Sequence, residues 1–210
     1  MREHSKRQGL TAWQIGEFII GALALTYFLV YPRAALSDFV VCTILCLLVY
    51  RSSEELGLYK ADLQSWGRAD YMLLALTFGL FSAAWFYGFS KDKLSLNTAL
   101  ASLAITLTYF YYAIIQHFLA QRYLAARMMQ VSKEHKPKAA LFTGLVFGVL
   151  HIPFPHLIIP STIGGMLFAY YYLSTGRLWM VVFAHALISS TLIFWFFGKN
   201  PFISILELFA

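Results

Sequence analysis

Apolar residues run along this chain in blocks of roughly 16 to 20 positions, separated by short polar stretches. Blocks of that length match the roughly 20 residues a helix needs to cross the hydrocarbon core of a bilayer. They do not alternate apolar with polar positions, as the strands of a membrane barrel would. The pattern predicts an all-α polytopic membrane bundle of about seven spans, near 13–31, 35–50, 71–89, 99–126, 139–154, 157–174 and 178–197. Residues 1–98 would hold spans one to three with an interfacial segment near 51–70. Residues 99–197 would form a four-helix core, and 198–210 a C-terminal tail.

Composition sharpens this picture. Of 210 residues, 60% are hydrophobic and 12% charged, against about 25% charged in a soluble domain. The net charge of +6 does not indicate a nucleic-acid partner, because the basic residues sit between apolar spans. It reports topology instead. With a cytoplasmic N-terminus, twelve of the 16 Lys and Arg residues fall on the cytoplasmic side, and only Arg33, Lys91, Lys93 and Lys199 fall opposite, as the positive-inside rule requires. The basic loop 127–138 would also touch anionic lipid. The run from Trp13 to Tyr31 is long enough to span and has no small-residue cleavage site after it, so it reads as a retained first helix.

Several local features carry structure rather than chemistry. Cys42 and Cys46 share one helix face as small apolar residues. Glu54 and Glu55 stand beside Ser52 and Ser53 at a helix start, where capping explains them. Leu56, Leu58, Leu63 and Trp66 suggest a segment lying at the membrane interface. Gly144 and Gly148 form a small-xxx-small pair that lets another helix approach, and Pro160 would open span six. His156 follows Pro153 and Pro155 in a turn, as an interface residue.

Polar and ionisable groups inside a bilayer are costly and therefore mark function by default. Here they are Glu17, Gln116, His117, His151 and His185. At 1.5 Å per residue, Gln116 lies about 15 Å above the end of span four, His151 about 18 Å into span five and His185 about 10 Å into span seven. Three helices thus place polar side chains at overlapping depth. Gly144, Phe147 and His151 share one stripe of span five, while His185 and Ser189 are one turn apart on span seven. Glu17 would snorkel to the interface or bond a neighbouring helix.

The run LVFGVLH, with Phe147-x-x-x-His151, resembles the second motif of the CAAX-protease and bacteriocin-processing family of intramembrane proteases. The stretch GGMLFAYYYLSTGRLWMVVFAHALISS resembles the segment that follows, with His185-x-x-x-Ser189 as the third motif. The resemblance covers roughly residues 105 to 197. The family's first motif has two adjacent glutamates, three intervening residues and an arginine. Aligned without gaps, Gln116 and His117 occupy the glutamate positions and Gln121 the arginine position. Shifted by one, Arg122 meets the arginine, but His117 and Phe118 meet the glutamates. Neither register leaves an acid.

The resemblance implies an intramembrane endopeptidase in which a glutamate activates water and motif histidines stabilise the oxyanion. A glutamine cannot take that proton, and general-base help is typically worth about 100- to 10,000-fold. Three readings stay open. His117 replaces the base; the chain is an inactive relative that binds membrane peptides as a scaffold; or Gln116 is an engineered change, which would not explain His117 and Gln121. On the resemblance, Gln116, His117, His151, His185 and Ser189 form the catalytic set, with Arg122 and Phe147 toward substrate. No cofactor is expected. The chemical rival is a zinc ion on His117, His151 and His185 with one open position, which lacks a nearby carboxylate as base. The expected partner is a membrane-embedded or membrane-anchored peptide or protein within the lipid bilayer, in the bacterial inner (plasma) membrane. Oligomeric state and substrate identity are left open by the sequence.

Overall fold

The computed structural model describes residues 65–91, 95–152 and 155–197, with scattered positions between 16 and 50. The described elements are all helical: α1 (Arg68–Ser90), α2 (Leu96–His117), a π-helical segment (Phe118–Ala125), α3 (Ala126–Val131), α4 (Lys136–Val149), α5 (Pro155–Thr175) and α6 (Leu178–Phe197). The expected Cys42 and Cys46 face, the Glu54–Glu55 cap and the tail from 198 lie outside the described residues.

Three of the helices begin where the sequence supplies a cap. The Asp70 carboxylate accepts the Gly67 N–H at 2.6 Å at the head of α1. At α2, Ser95 Oγ accepts Thr98 N–H at 3.2 Å while Thr98 Oγ1 accepts Ser95 N–H at 2.7 Å, a reciprocal capping box. His135 Nδ1 accepts the Lys138 N–H to start α4. Gly176, at φ 74°, ends α5 in the left-handed conformation that glycine adopts without strain.

Three described helices are long and apolar enough to cross a membrane: Arg68–Ser90, Thr98–Val131 and Pro155–Thr175. Leu178–Leu192 is a shorter apolar one. Exposed Tyr71, Phe86, Phe89, Leu107, Ile159 and Leu167 clothe their outer faces, as lipid-facing helices require. The protein is an integral membrane protein built as an all-α bundle.

Three boundaries and the place of one arginine differ from the sequence expectation. The fourth span runs on as one continuous helix through Val131, changing to π-helical pitch at Phe118. The helix of the fifth span stops at Val149, so α4 has 14 residues and His151 lies in the turn beyond it. Span six starts a full turn earlier than Pro160, at Pro155, leaving Pro160 inside the helix. Arg127 does not belong to a surface loop, because it is fully buried on α3 and paired with Glu17.

The helices pack as two groups. α6 lies along α1 and α2, and α4 lies along α5. The π-helical segment touches α4, α5 and α6 and so joins the groups. Glycines set the second pair's spacing. A Cβ on Gly144 would lie 2.7 Å from the Thr162 carbonyl oxygen, and one on Gly148 would collide with the Thr162 hydroxyl. The small-xxx-small pair therefore admits α5, as its spacing predicts.

Candidate active site

The site lies in the seam between the two groups. His117 closes α2 and is fully buried, as is Gln121 one turn later. A wide π-helical turn follows His117 directly, and such segments recur at functional sites. It draws Ala120, Gln121, Arg122 and Tyr123 all inward, where an α-helical turn would present only part of such a run to the core. Both positions that compete for the family arginine are consequently buried. Their surroundings differ: Gln121 Nε2 lies 3.2 Å from His117 Nδ1, whereas the Arg122 guanidinium lies over the Phe118 ring at 5.7 Å.

Two other helices and the turn beyond α4 bring histidines to one phenyl ring. Phe147 of α4 stacks on His117 with centroids 6.0 Å apart, meets His185 edge-on at 5.9 Å and touches His151 at 5.2 Å. Phe168 of α5 closes the opposite side against His117 and His185. His117 Nε2 bonds His185 Nδ1 across α2 and α6. Tyr109 packs on His185 at 5.7 Å and reaches Ser189 through a side-chain hydrogen bond. Gly165 makes room for this arrangement, since a Cβ there would stand 3.0 Å from Phe147 Cβ.

The structure thus brings His117, His185, His151 and Phe147 together, with Ser189 one turn away through Tyr109. It does not bring Gln116 to them. That side chain is half-buried, and its Oε1 has no hydrogen-bond partner among the described residues. His156 is exposed on the first turn of α5. Gln121, which the sequence set only opposite the family arginine, is the glutamine that touches a site histidine. The signal that could have found it is its four-residue spacing from His117.

Ring chemistry separates the three histidines. The Phe147 carbonyl can only accept, so His151 donates Nδ1–H to it at 2.7 Å. A neutral His151 ring therefore carries its lone pair on Nε2. This bond also caps the end of α4, so one contact both ends the helix and orients the ring. His117, by contrast, has both ring nitrogens engaged, by Gln121 and by His185.

Among the described residues, no group of three His, Cys, Asp or Glu side chains could hold a metal ion.

Two further polar contacts lie apart from the site and were not legible as partners in the sequence. Arg127 donates to Glu17, which fixes the acid on a neighbouring helix rather than at the interface. At the head of α1, the Asp70 carboxylate accepts Tyr171 Oη–H and stands 3.3 Å from Arg177 Nε. Arg177 also donates to the Ser65 carbonyl at 2.7 Å.

The model of the Rce1-like family, described as type II CAAX prenyl endopeptidase Rce1-like, matches residues 98–191. A curated protein of Bacillus subtilis (strain 168), "Putative membrane peptidase YdiL", is 22% identical over 166 residues, covering 73% of this chain and 67% of its own length. No solved structure matches the chain.

Proposed function

We propose that this chain, whose residues 98–191 match the Rce1-like family model, is an intramembrane endopeptidase that cleaves a membrane-embedded or membrane-anchored peptide with histidines in place of the family's glutamates. The observation that carries the proposal is the gathering of His117, His151 and His185 round Phe147 at the seam of the core.

In this mechanism His151 is the base, because its Nε2 lone pair is free while both His117 nitrogens are committed. The Nε2 atom takes a proton from water, and the hydroxide adds to the peptide carbonyl carbon. His185 Nε2–H, with the Tyr109 and Ser189 hydroxyls nearby, donates to the resulting oxyanion. The His151 imidazolium then returns its proton to the leaving nitrogen as the C–N bond breaks, releasing a carboxylate and an amine. His117 holds His185, and Phe147 and Phe168 keep the pair dry. Arg122, whose guanidinium lies over the Phe118 ring, contributes to the approach of substrate.

The test is cleavage of a membrane-peptide library by the purified chain in nanodiscs, read by mass spectrometry, beside His151→Ala and a chelator control. Chelator-insensitive cleavage that falls about 100- to 10,000-fold in His151→Ala is expected. Full activity in that variant would remove His151 as the base. Silence from the native chain, where a control protease cuts the same library, would favour a scaffold that binds membrane peptides without cutting them.

A further inference from the structure

A histidine can give or take a hydrogen bond at a given nitrogen, and what decides between them is its other nitrogen. We infer that Gln121 is a positioning residue that acts through His117 to make His185 present an Nε2–H donor. The geometry is a three-member chain: Gln121 Nε2 to His117 Nδ1 at 3.2 Å, then His117 Nε2 to His185 Nδ1. A carboxamide nitrogen only donates, so His117 Nδ1 accepts. The neutral His117 ring then carries its one proton on Nε2 and donates it to His185 Nδ1. His185 in turn carries its proton on Nε2, the ring nitrogen that makes no hydrogen bond among the described residues. One side chain sets two rings.

The surroundings leave this chain little else to answer to. Gln121 and His117 are fully buried and His185 nearly so. Phe147 from α4 and Phe168 from α5 contact both rings. The titratable groups that face the pair are Tyr109 of α2, against His185, and His151 beyond Phe147. The inference rests on the mechanism above for its use, since an Nε2–H donor is what an oxyanion needs. The tautomer itself does not depend on whether the chain cleaves anything.

That independence fixes the experiment. The full chain, labelled with ¹⁵N-histidine and held in nanodiscs, is examined by proton–nitrogen correlation NMR, which distinguishes Nδ1–H from Nε2–H rings. Signals are assigned by single replacement of each histidine. In the native chain both His117 and His185 are expected as Nε2–H across the pH range in which they stay neutral. In Gln121→Glu the new side chain can also accept. Once its carboxyl ionises it takes the His117 Nδ1–H, and both rings are expected to invert together to Nδ1–H as pH rises. If cleavage is established, the inverted state loses its oxyanion donor and should slow about 100- to 1,000-fold. A native spectrum with His117 as Nδ1–H means the carboxamide is turned the other way and overturns the inference. So does inversion of His117 without His185. The native spectrum decides even if the variant fails to fold, and a native chain with the expected tautomers but no cleavage would defeat only the protease reading.

Discussion

Two buried polar clusters can be set side by side in this bundle. In the first, Asp70 spends both carboxylate oxygens: Tyr171 and Arg177 bond Oδ1, and the Gly67 N–H bonds Oδ2. In the second, around Phe147, bonding capacity is left over. His185 Nε2 and His151 Nε2 have no partner among the described residues, and Gln121 Oε1 is buried without one. Burying a polar group unpaired is unfavourable, so a cluster with nothing to spare is built for holding. A cluster with unused donors and acceptors is built for a visitor that supplies the missing half. Cost of burial alone does not separate the two; completeness does.

The largest break in this comparison comes from opening the complete cluster. Asp70→Ala strands the Arg177 guanidinium, and removing one member of a buried pair costs about 3–5 kcal/mol. Unfolding of the purified protein should show that loss, whereas His185→Phe, which removes no charge but leaves the His117 Nε2–H unpaired, should cost less, about 1–3 kcal/mol. Equal losses in the two variants would erase the distinction. A smaller effect is expected from Gly144→Ala. Its methyl meets the Thr162 carbonyl and the Met166 backbone, and overpacking of this sort costs about 1–3 kcal/mol. Because α4 carries Phe147, the same change should disturb the histidine signals in NMR spectra, while Tyr171 and Asp70 stay paired. The smallest is Thr106→Val, which removes the 2.9 Å bond between Thr106 and Ser190 on α2 and α6. Interhelical bonds in membranes average about 0.6 kcal/mol, so a loss above about 2 kcal/mol in a double-mutant cycle with Ser190→Ala would mean that this contact bears on the seam as well.

The helices were legible because hydropathy measures what a bilayer selects. The helices expected at 71–89, 157–174 and 178–197 are realised as Arg68–Ser90, Pro155–Thr175 and Leu178–Phe197. The histidines were legible for the complementary reason, since their intramembrane cost sets them apart. Partnership was harder to see. Asp70 and Arg177 lie at helix ends, where a charge looks solvated, and only the fold joins them across 107 positions. Arg127 read as one more loop cation for the same reason. The π-helical segment has no compositional mark at all, because it changes the pitch without changing the residues, and with it went the inward turn of Gln121. His151 was placed by extrapolating a helix that ends at Val149. Its one-turn relation to Phe147 survives because the ring reaches back to that residue's carbonyl.

The pairing of Glu17 with Arg127 also has a consequence for how the protein is made. The two residues are 110 positions apart in the chain, and ribosomes add about 5–20 residues per second. The acid in the first segment is therefore synthesised on the order of 5–20 s before its cation exists. Over that interval it must be satisfied by water or by other polar groups. The bond that holds Glu17 to α3 can therefore form only late in synthesis, once Arg127 has been made.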